Sequence, residues 1–575
     1  MNGTTTTDSF AALAEDAVRR YLPGLGESER EAVAALLRDE STTMSPERLR
    51  EMRASRLSFA NQLVDRVATD GWSIVLKHID VDGQGRGVAL YQIEAEGRTF
   101  QFGAFSHGAG EGPREGRIRE NEFDFFGVIA DGPVDADALN RDHDEFLRNA
   151  WGGRCADATL GWTVANRSNR LFDYAIEKLS GGEQPDVDVL KSGGGYLIRN
   201  AGYYGNGRHG SRSWFSFSPD HAFASPYSLD MFTLYMWRRV SHDIVDATAA
   251  VLSDTAVKLT DEVRAILGIG NSSGIGTVAA LVRWPSWLSG FVTAREVCLA
   301  YARTRSAVPP EMRTTLAGRL RAAVEDAVLE QSDPTTVEVL ENLHRAAQGY
   351  ADTGTIDGRV PDRPLEDMVA IAQASGDIAA QEWLNAILID LYPDVCADAA
   401  NGIGSAMATV RQVAPEMPVR ELRELVYGRY RWALETDLTT SDARARFWYR
   451  SEENGENRRG ETGIDPGVEK STFVDALGVV KDLYECLSLE DGDMTVGRFL
   501  LKRPHHSLAV SRVQLAAVMP FSEIQANLLD AAFRPADGIR FFLRVVLGIE
   551  ASVDASDQWV RGIFFRNVAQ SSEEA

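Results

Sequence analysis

Three arginines, Arg199, Arg208 and Arg212, fall in one stretch, Tyr196–Trp214, together with Tyr203, Tyr204, Asn206, His209 and Ser211. Guanidinium groups offer paired donors to a carboxylate or phosphate, and amide and hydroxyl groups complete the hydrogen bonding. A histidine such as His209 can act as general acid or base near neutral pH, while Tyr204 could donate a proton beside a cation. The wider segment Lys191–Ser218 holds seven glycines, three tyrosines and four Lys/Arg residues without a single acid. In so acidic a chain this composition points to an anion site in which glycines let backbone approach the ligand.

A second candidate is the glycine-rich run Gly268–Gly276. Read as a turn feeding a helix, it presents free backbone N–H groups beside Asn271, Ser272 and Ser273, which suits a carboxylate or phosphate. The same residues contain GxSxG at Gly270–Gly274, the pattern of a nucleophile elbow that would expose Ser272. That elbow needs a preceding strand, and Asp261–Leu267 reads as helix. The core Ser272–Gly276 (SSGIG) also resembles the glycine-rich loop of short-chain dehydrogenases. The resemblance implies a dinucleotide site and a Tyr-x-x-x-Lys pair downstream. Here the pair is Tyr174 to Lys178, upstream, and helical sequence rather than βαβ alternation follows Gly276.

Other constellations have plainer readings. Arg167 and Arg170 share a face at an expected helix start and suit pairing with surface acids. Arg295-Glu296 reads as a structural ion pair, and Phe447–Glu453 as an aromatic anchor opening a charged loop that could serve as a lid. His505 and His506 are adjacent, so their rings should diverge on a helix, and no HExxH accompanies them. Cys155, Cys298, Cys396 and Cys486 fall in no metal-binding spacing. No metal is therefore expected. No GxxxxGK[ST] occurs, so no cofactor is expected by motif, which leaves open a nucleotide cofactor held without a standard fingerprint.

The elements that must carry these residues follow from periodicity. Residues 1–70 read as a helical segment. Residues 71–131 read as an antiparallel β-meander, with strands near Trp72–His78, Val88–Ala95, Thr99–Phe105 and Phe123–Ile129. Residues 132–260 form a mixed segment that holds the Gly/Arg/Tyr-rich loop. It ends in a long helix whose Leu229, Phe232, Met236, Val240, Ile244, Ala247 and Val251 step along one face. Residues 261–440 read as a helical body, and 441–575 as a mostly helical end. The expected fold class is α+β, predominantly α-helical: a large helical body with a small antiparallel meander near the N-terminus.

Composition limits the partners. The 575 residues carry 60 basic and 84 acidic side chains, a formal charge of −24, which repels nucleic acid and anionic membrane. No apolar run reaches the roughly 18 residues a membrane span needs, and scattered cysteines suit a reducing cytoplasm. The expectation is a cytoplasmic enzyme acting on a small carboxylate- or phosphate-bearing metabolite by acid–base chemistry of the lyase or isomerase type. Arg199, Asn206, Arg208, Arg212, Asn271, Ser272 and Ser273 would bind the substrate; His209 and Tyr204 would move a proton. A non-enzymatic binder of an acidic ligand or partner, and a serine hydrolase using Ser272, are the alternatives.

Overall fold

The computed structural model describes residues 14–107, 123–133, 158–205, 217–271, 286–408, 413–435, 450–451, 458–459, 473–510, 541–548, 550–553 and 560–568, a few isolated positions within them aside, with part of 137–141. The chain divides into two compact units. One draws on Ser58–Gly274, Leu547–Ser552 and Arg561–Ala575, the other on Met1–Leu57, Ile275–Val546 and Val553–Val560.

The first is a sheet unit. Four consecutive strands, β1 (Ser73–Val81), β2 (Gly87–Ala95), β3 (Arg98–Ser106) and β4 (Phe125–Asp131), pair antiparallel in sequence order. The Glu96-Gly97 corner between β2 and β3 has positive φ at both residues, the geometry of a two-residue hairpin turn. β5 (Thr159–Arg167) and β6 (Tyr196–Gly205) extend the antiparallel run, and β7 (Gly268–Asn271) then adds parallel to β6. In chain order β8 (Arg450–Ser451) and β9 (Arg458–Arg459) form a separate two-stranded pair, while β10 (Glu550–Val553) and β11 (Val560–Phe564) complete the main sheet. The strand order is β1-β2-β3-β4-β5-β6-β7-β11-β10.

This sheet corrects the expected fold class. What read as a small N-terminal meander is the first part of a nine-stranded mixed sheet that gathers strands from the whole chain. The physical reason lies in the added strands. Thr159–Ala165 is buried at every position, so β5 shows no apolar–polar alternation, and the helix start expected at its end is strand instead. β6 and β7 are rich in glycine and read as loop and turn. They are strands because neighbours satisfy their backbone groups, not because local propensity demands it.

Four helices of this unit matter to the site: α1 (Phe59–Thr69), α2 (Phe172–Ser180), α3 (Ser228–Leu252) and α4 (Asp261–Ile266). The 25-residue α3 buries eighteen of its residues, so it is enclosed on more than the single face its apolar spacing predicts. Trp237 of α3 meets Phe102 and Phe125 edge-on at 5.7 and 5.8 Å, and its indole N–H donates to Thr163 Oγ1 at 3.0 Å. A second cluster, Phe105, Phe126, Val128, Ala130, Leu139, Trp162 and Val164, takes the alternate residues of β3, β4 and β5. Both faces of the sheet's centre are therefore covered.

The other unit is helical among its described residues apart from the β8–β9 pair. Its helices include α5 (Ser286–Thr304), α6 (Pro310–Leu329), α7 (Pro334–Thr353), α8 (Ile378–Asp390), α9 (Val419–Glu435), α10 (Phe473–Leu489) and α11 (Val496–Lys502). Asp333 caps α7 by accepting from Thr335 N at 2.8 Å, with Pro334 at the first helical position. The expected pair Arg295-Glu296 on α5 is not a pair. Arg295 donates to Glu382 Oε2 at 2.8 Å, whereas Glu296 accepts from Arg38 Nε at 2.7 Å. Arg48 and Asn385 also donate to Glu382 Oε1, at 2.6 and 2.9 Å. Glu382 and Arg295 are both 0% exposed. No helix among the described residues is long and apolar enough to cross a membrane.

Candidate functional site

The two segments singled out by composition are neighbours in the sheet. β6 and β7 run parallel, with Arg199 opposite Gly270 and Asn200 opposite Asn271. Both strands therefore run toward the same side of the sheet, β6 as far as Gly205 and β7 as far as Asn271. The carboxyl ends of adjacent parallel strands are where open sheets place ligand crevices.

The close approach of β7 explains its glycines. A Cβ at Gly270 would lie 2.9 Å from the Tyr196 ring of β6, and one at Gly268 would lie 2.5 Å from the Phe564 carbonyl of β11. Glycine here lets a four-residue strand fit between two neighbours. The expected turn at Gly268–Asn271 is thus a strand, and it follows α4 directly.

A buried arginine holds that corner. Arg238 of α3 donates from Nε to Leu267 O at 2.7 Å and from Nη2 to Arg264 O at 2.8 Å, carbonyls where α4 gives way to β7. A cation is favoured there because the end of a helix presents unpaired carbonyls and a partial negative charge. Arg238 is 1% exposed, and burial lowers its pKa to about 10. Arg264 in turn pairs with Asp246 of α3, whose other oxygen accepts from Leu259 N at 2.9 Å. Burial raises the Asp246 carboxyl to about 6 despite that pairing.

The described site residues separate by which face they use. Asn200 turns inward and donates to Thr163 Oγ1 at 2.8 Å, joining the Trp237 hydrogen bond, so it belongs to the core. Arg199 alternates to the other face, stands exposed and has no hydrogen-bond or ion-pair partner among the described residues. Opposite it on β5, Asn166 accepts from Asp124 N at 3.2 Å. Arg167 does not pair with a surface acid. Its guanidinium donates to Gln84 O, Gly85 O and Ser106 Oγ at 2.8 to 3.1 Å and lies 4.5 Å from the Phe172 ring centre, tying down the β1–β2 turn. Among the described residues of this edge, Arg199 is an exposed cation without an ion-pair partner.

Of the remaining expected site residues, Tyr204 and Asn271 are described as backbone members of β6 and β7. Asn206, Arg208, His209, Arg212, Ser272 and Ser273 lie outside the described residues, as do Phe447–Tyr449 of the expected lid. Sequence reading missed Arg238, Asp246 and Arg264 as positioning groups. The signal was weak: Arg238 and Asp246 fall among the apolar positions of a helix that also carries Arg239, His242 and Asp243, and a charge that is buried there needs a partner.

No family model, no curated protein and no solved structure matches this chain. The functional reading rests on its own residues.

Proposed function

We propose that the protein is an enzyme of the reducing cytoplasm that binds a small carboxylate- or phosphate-bearing metabolite at the edge where β6 and β7 end. It would process that metabolite by acid–base chemistry of the lyase or isomerase type. The observation that carries the reading is the parallel pairing of β6 with β7, which sets Arg199, exposed and without an ion-pair partner among the described residues, opposite Gly270. On this reading Arg199, Arg208 and Arg212 hold the anionic group. Asn206, Asn271, Ser272 and Ser273 supply hydroxyl, amide and backbone donors to a second acceptor. His209 takes or returns the proton, with Tyr204 as its partner acid. The three described cysteines are free and buried, which suits a reducing compartment. The net charge of −24 argues against nucleic acid as the ligand.

The test is thermal shift against carboxylates, amino acids, sugar phosphates and nucleotides, on the wild type and on Arg199→Ala and Arg208→Ala. A ligand that raises the wild-type melting temperature and loses that effect in both variants supports the site. Turnover of that ligand, abolished by His209→Ala at unchanged melting temperature, supports an enzyme. Binding without turnover favours the non-enzymatic binder of an acidic ligand. A shift that survives both arginine substitutions removes the site from this edge.

One observation favours a second reading. Gly268–Asn271 is a strand, so Ser272 of the GxSxG pattern directly follows a strand end, as a nucleophile elbow requires. Labelling of Ser272 by a serine-reactive phosphonate, absent in Ser272→Ala, would support acyl transfer; an inert Ser272 would remove it.

A further inference from the structure

Away from the sheet, the helical unit brings together three side chains of metal-ligating type. Asp482 and Cys486 lie one turn apart on α10, and His506 closes the short turn Pro504–His506 that follows α11. One ligand atom from each lies within 4.8 Å of the other two. We infer that Asp482, Cys486 and His506 form a binding site for a single thiophilic divalent cation, with zinc the best match.

The distances set the three side chains around a common centre. His506 Nε2 is 3.7 Å from Asp482 Oδ2, too long for a hydrogen bond between nitrogen and oxygen, while the Cys486 thiol donates a long hydrogen bond to Asp482 Oδ1 at 3.9 Å. Ligands at about 2.0–2.3 Å from a tetrahedral zinc stand about 3.3–3.8 Å from one another, so three atoms that lie within 4.8 Å of each other need only a small closure to seat the ion.

The second observation is the state of His506. Its side chain is 2% exposed and its ring stacks on Phe499 at 5.7 Å between centres, yet Nε2 is buried with no hydrogen-bond partner among the described residues. A buried polar atom without a partner costs free energy unless something binds it. A cation shared with the neighbouring thiolate and carboxylate removes that cost. The stacking on Phe499 holds the ring in place, the kind of support that a metal-ligating histidine needs.

The donor set selects the metal. A sulfur, an imidazole nitrogen and one carboxylate oxygen suit zinc and not the all-oxygen shells of magnesium or calcium. Cys486 would bind as thiolate, releasing its proton to solvent. Asp482 is exposed, so the cation would enter from that side. The fourth position would be taken by water or by His505, whose Nε2 is 4.0 Å from the same Asp482 oxygen. The expected divergence of the two histidine rings does not occur: their centres are 4.1 Å apart because Pro504–His506 is a tight 3-10 turn rather than an α-helix.

The site would join α10 to the segment after α11 across the small core of Val480, Leu483, Leu487, Val496 and Phe499. Metal occupancy would therefore stabilise this part of the helical unit.

The full-length protein, stripped with a chelator, is titrated with Co2+ as a spectroscopic stand-in for Zn2+. The expected result is one Co2+ per chain with a thiolate-to-cobalt charge-transfer band, displaced by Zn2+. Cys486→Ser should abolish the band, while Cys298→Ser and Cys396→Ser retain it. His506→Gln should weaken binding by about 100-fold, at the upper end of what loss of even an outer partner costs. Circular dichroism of each variant shows whether it folds, and native mass spectrometry with Zn2+ gives a second count of bound metal. No charge-transfer band in the wild type, or one unchanged in folded Cys486→Ser or His506→Gln, would overturn the site.

Discussion

The Glu382 cluster of the helical unit and the Arg199 edge of the sheet unit are both arginine-rich, yet they treat charge in opposite ways. Around Glu382, three guanidinium groups and two carboxylates are turned inward, and each arginine donates to at least one carboxylate. Burial pushes the Glu382 carboxyl up, but Arg295, Arg38 and Arg48 more than reverse it, so it titrates below the usual range. At the sheet edge Arg199 stands in water with no such partner among the described residues. The comparison teaches that an arginine's chemistry is legible from its accounts. A buried, paired guanidinium holds the fold; an exposed and unpaired one beside converging strand ends is free to hold a ligand.

The largest effect should come from breaking the buried cluster. Glu382→Gln leaves the buried Arg48 and Arg295 and the half-buried Arg38 facing Glu296 alone and should cost about 3–5 kcal/mol, read from chemical unfolding at neutral pH. A loss below about 1 kcal/mol would mean the cluster is not the structural core of its unit.

Acid should then separate two carboxylates that both pair with arginine. The folded-state pKa of Glu382 is depressed, so its contribution is present above the unfolded value and lost as pH falls through the folded one. The cost of Glu382→Gln should therefore shrink in acid. Asp246 behaves in the reverse sense. Its pKa rises from 3.8 to about 6 on folding, so the folded chain binds more protons in that window and stability falls as pH rises through it. Asp246→Asn removes this term, and the stability of the variant relative to the wild type should improve by up to about 3 kcal/mol between pH 4 and pH 7. A flat difference would put Asp246 at an ordinary pKa.

Gly270→Ala tests the strand packing that brings the candidate site together. The added methyl would meet the Tyr196 ring at 2.9 Å, and overpacking of this kind costs about 1–3 kcal/mol. Combining it with Tyr196→Ala should recover most of the loss, because the clash is with that ring. Recovery would fail if the glycine were needed for something other than room.

The smallest effect on stability is expected at Arg199. Arg199→Ala should change the unfolding free energy by no more than about 0.5 kcal/mol, since it breaks no contact among the described residues. It should still weaken binding of the anionic ligand. A large loss of stability would move Arg199 to the same class as Arg48 and Arg295.

Much of the architecture was legible in the chain. The first four strands show apolar and aromatic runs broken by Gly and turn residues, and α3, α6 and α7 follow from helical spacing with Pro at the starts of α6 and α7. The remaining strands were not. β5 is buried on both faces and lacks alternation, and β7 is too short and glycine-rich to show a period. The pairing of the Arg199 segment with the Gly270 segment was not readable either, although both had been singled out by composition. Asp482 and Cys486 showed a one-turn spacing, but nothing local says that His506 returns to them.

By itself the sequence determined the helices, the first hairpins, the acidic character of the whole and the unusual acid-free composition of Lys191–Ser218. Each of these depends on residues close along the chain or on their sum. Tertiary structure alone decided that β6 and β7 lie side by side, that Arg295 and Glu296 part company, and that Asp482, Cys486 and His506 converge. Those outcomes join residues far apart in sequence, and they depend on which backbone groups and buried charges must find partners once the core has formed.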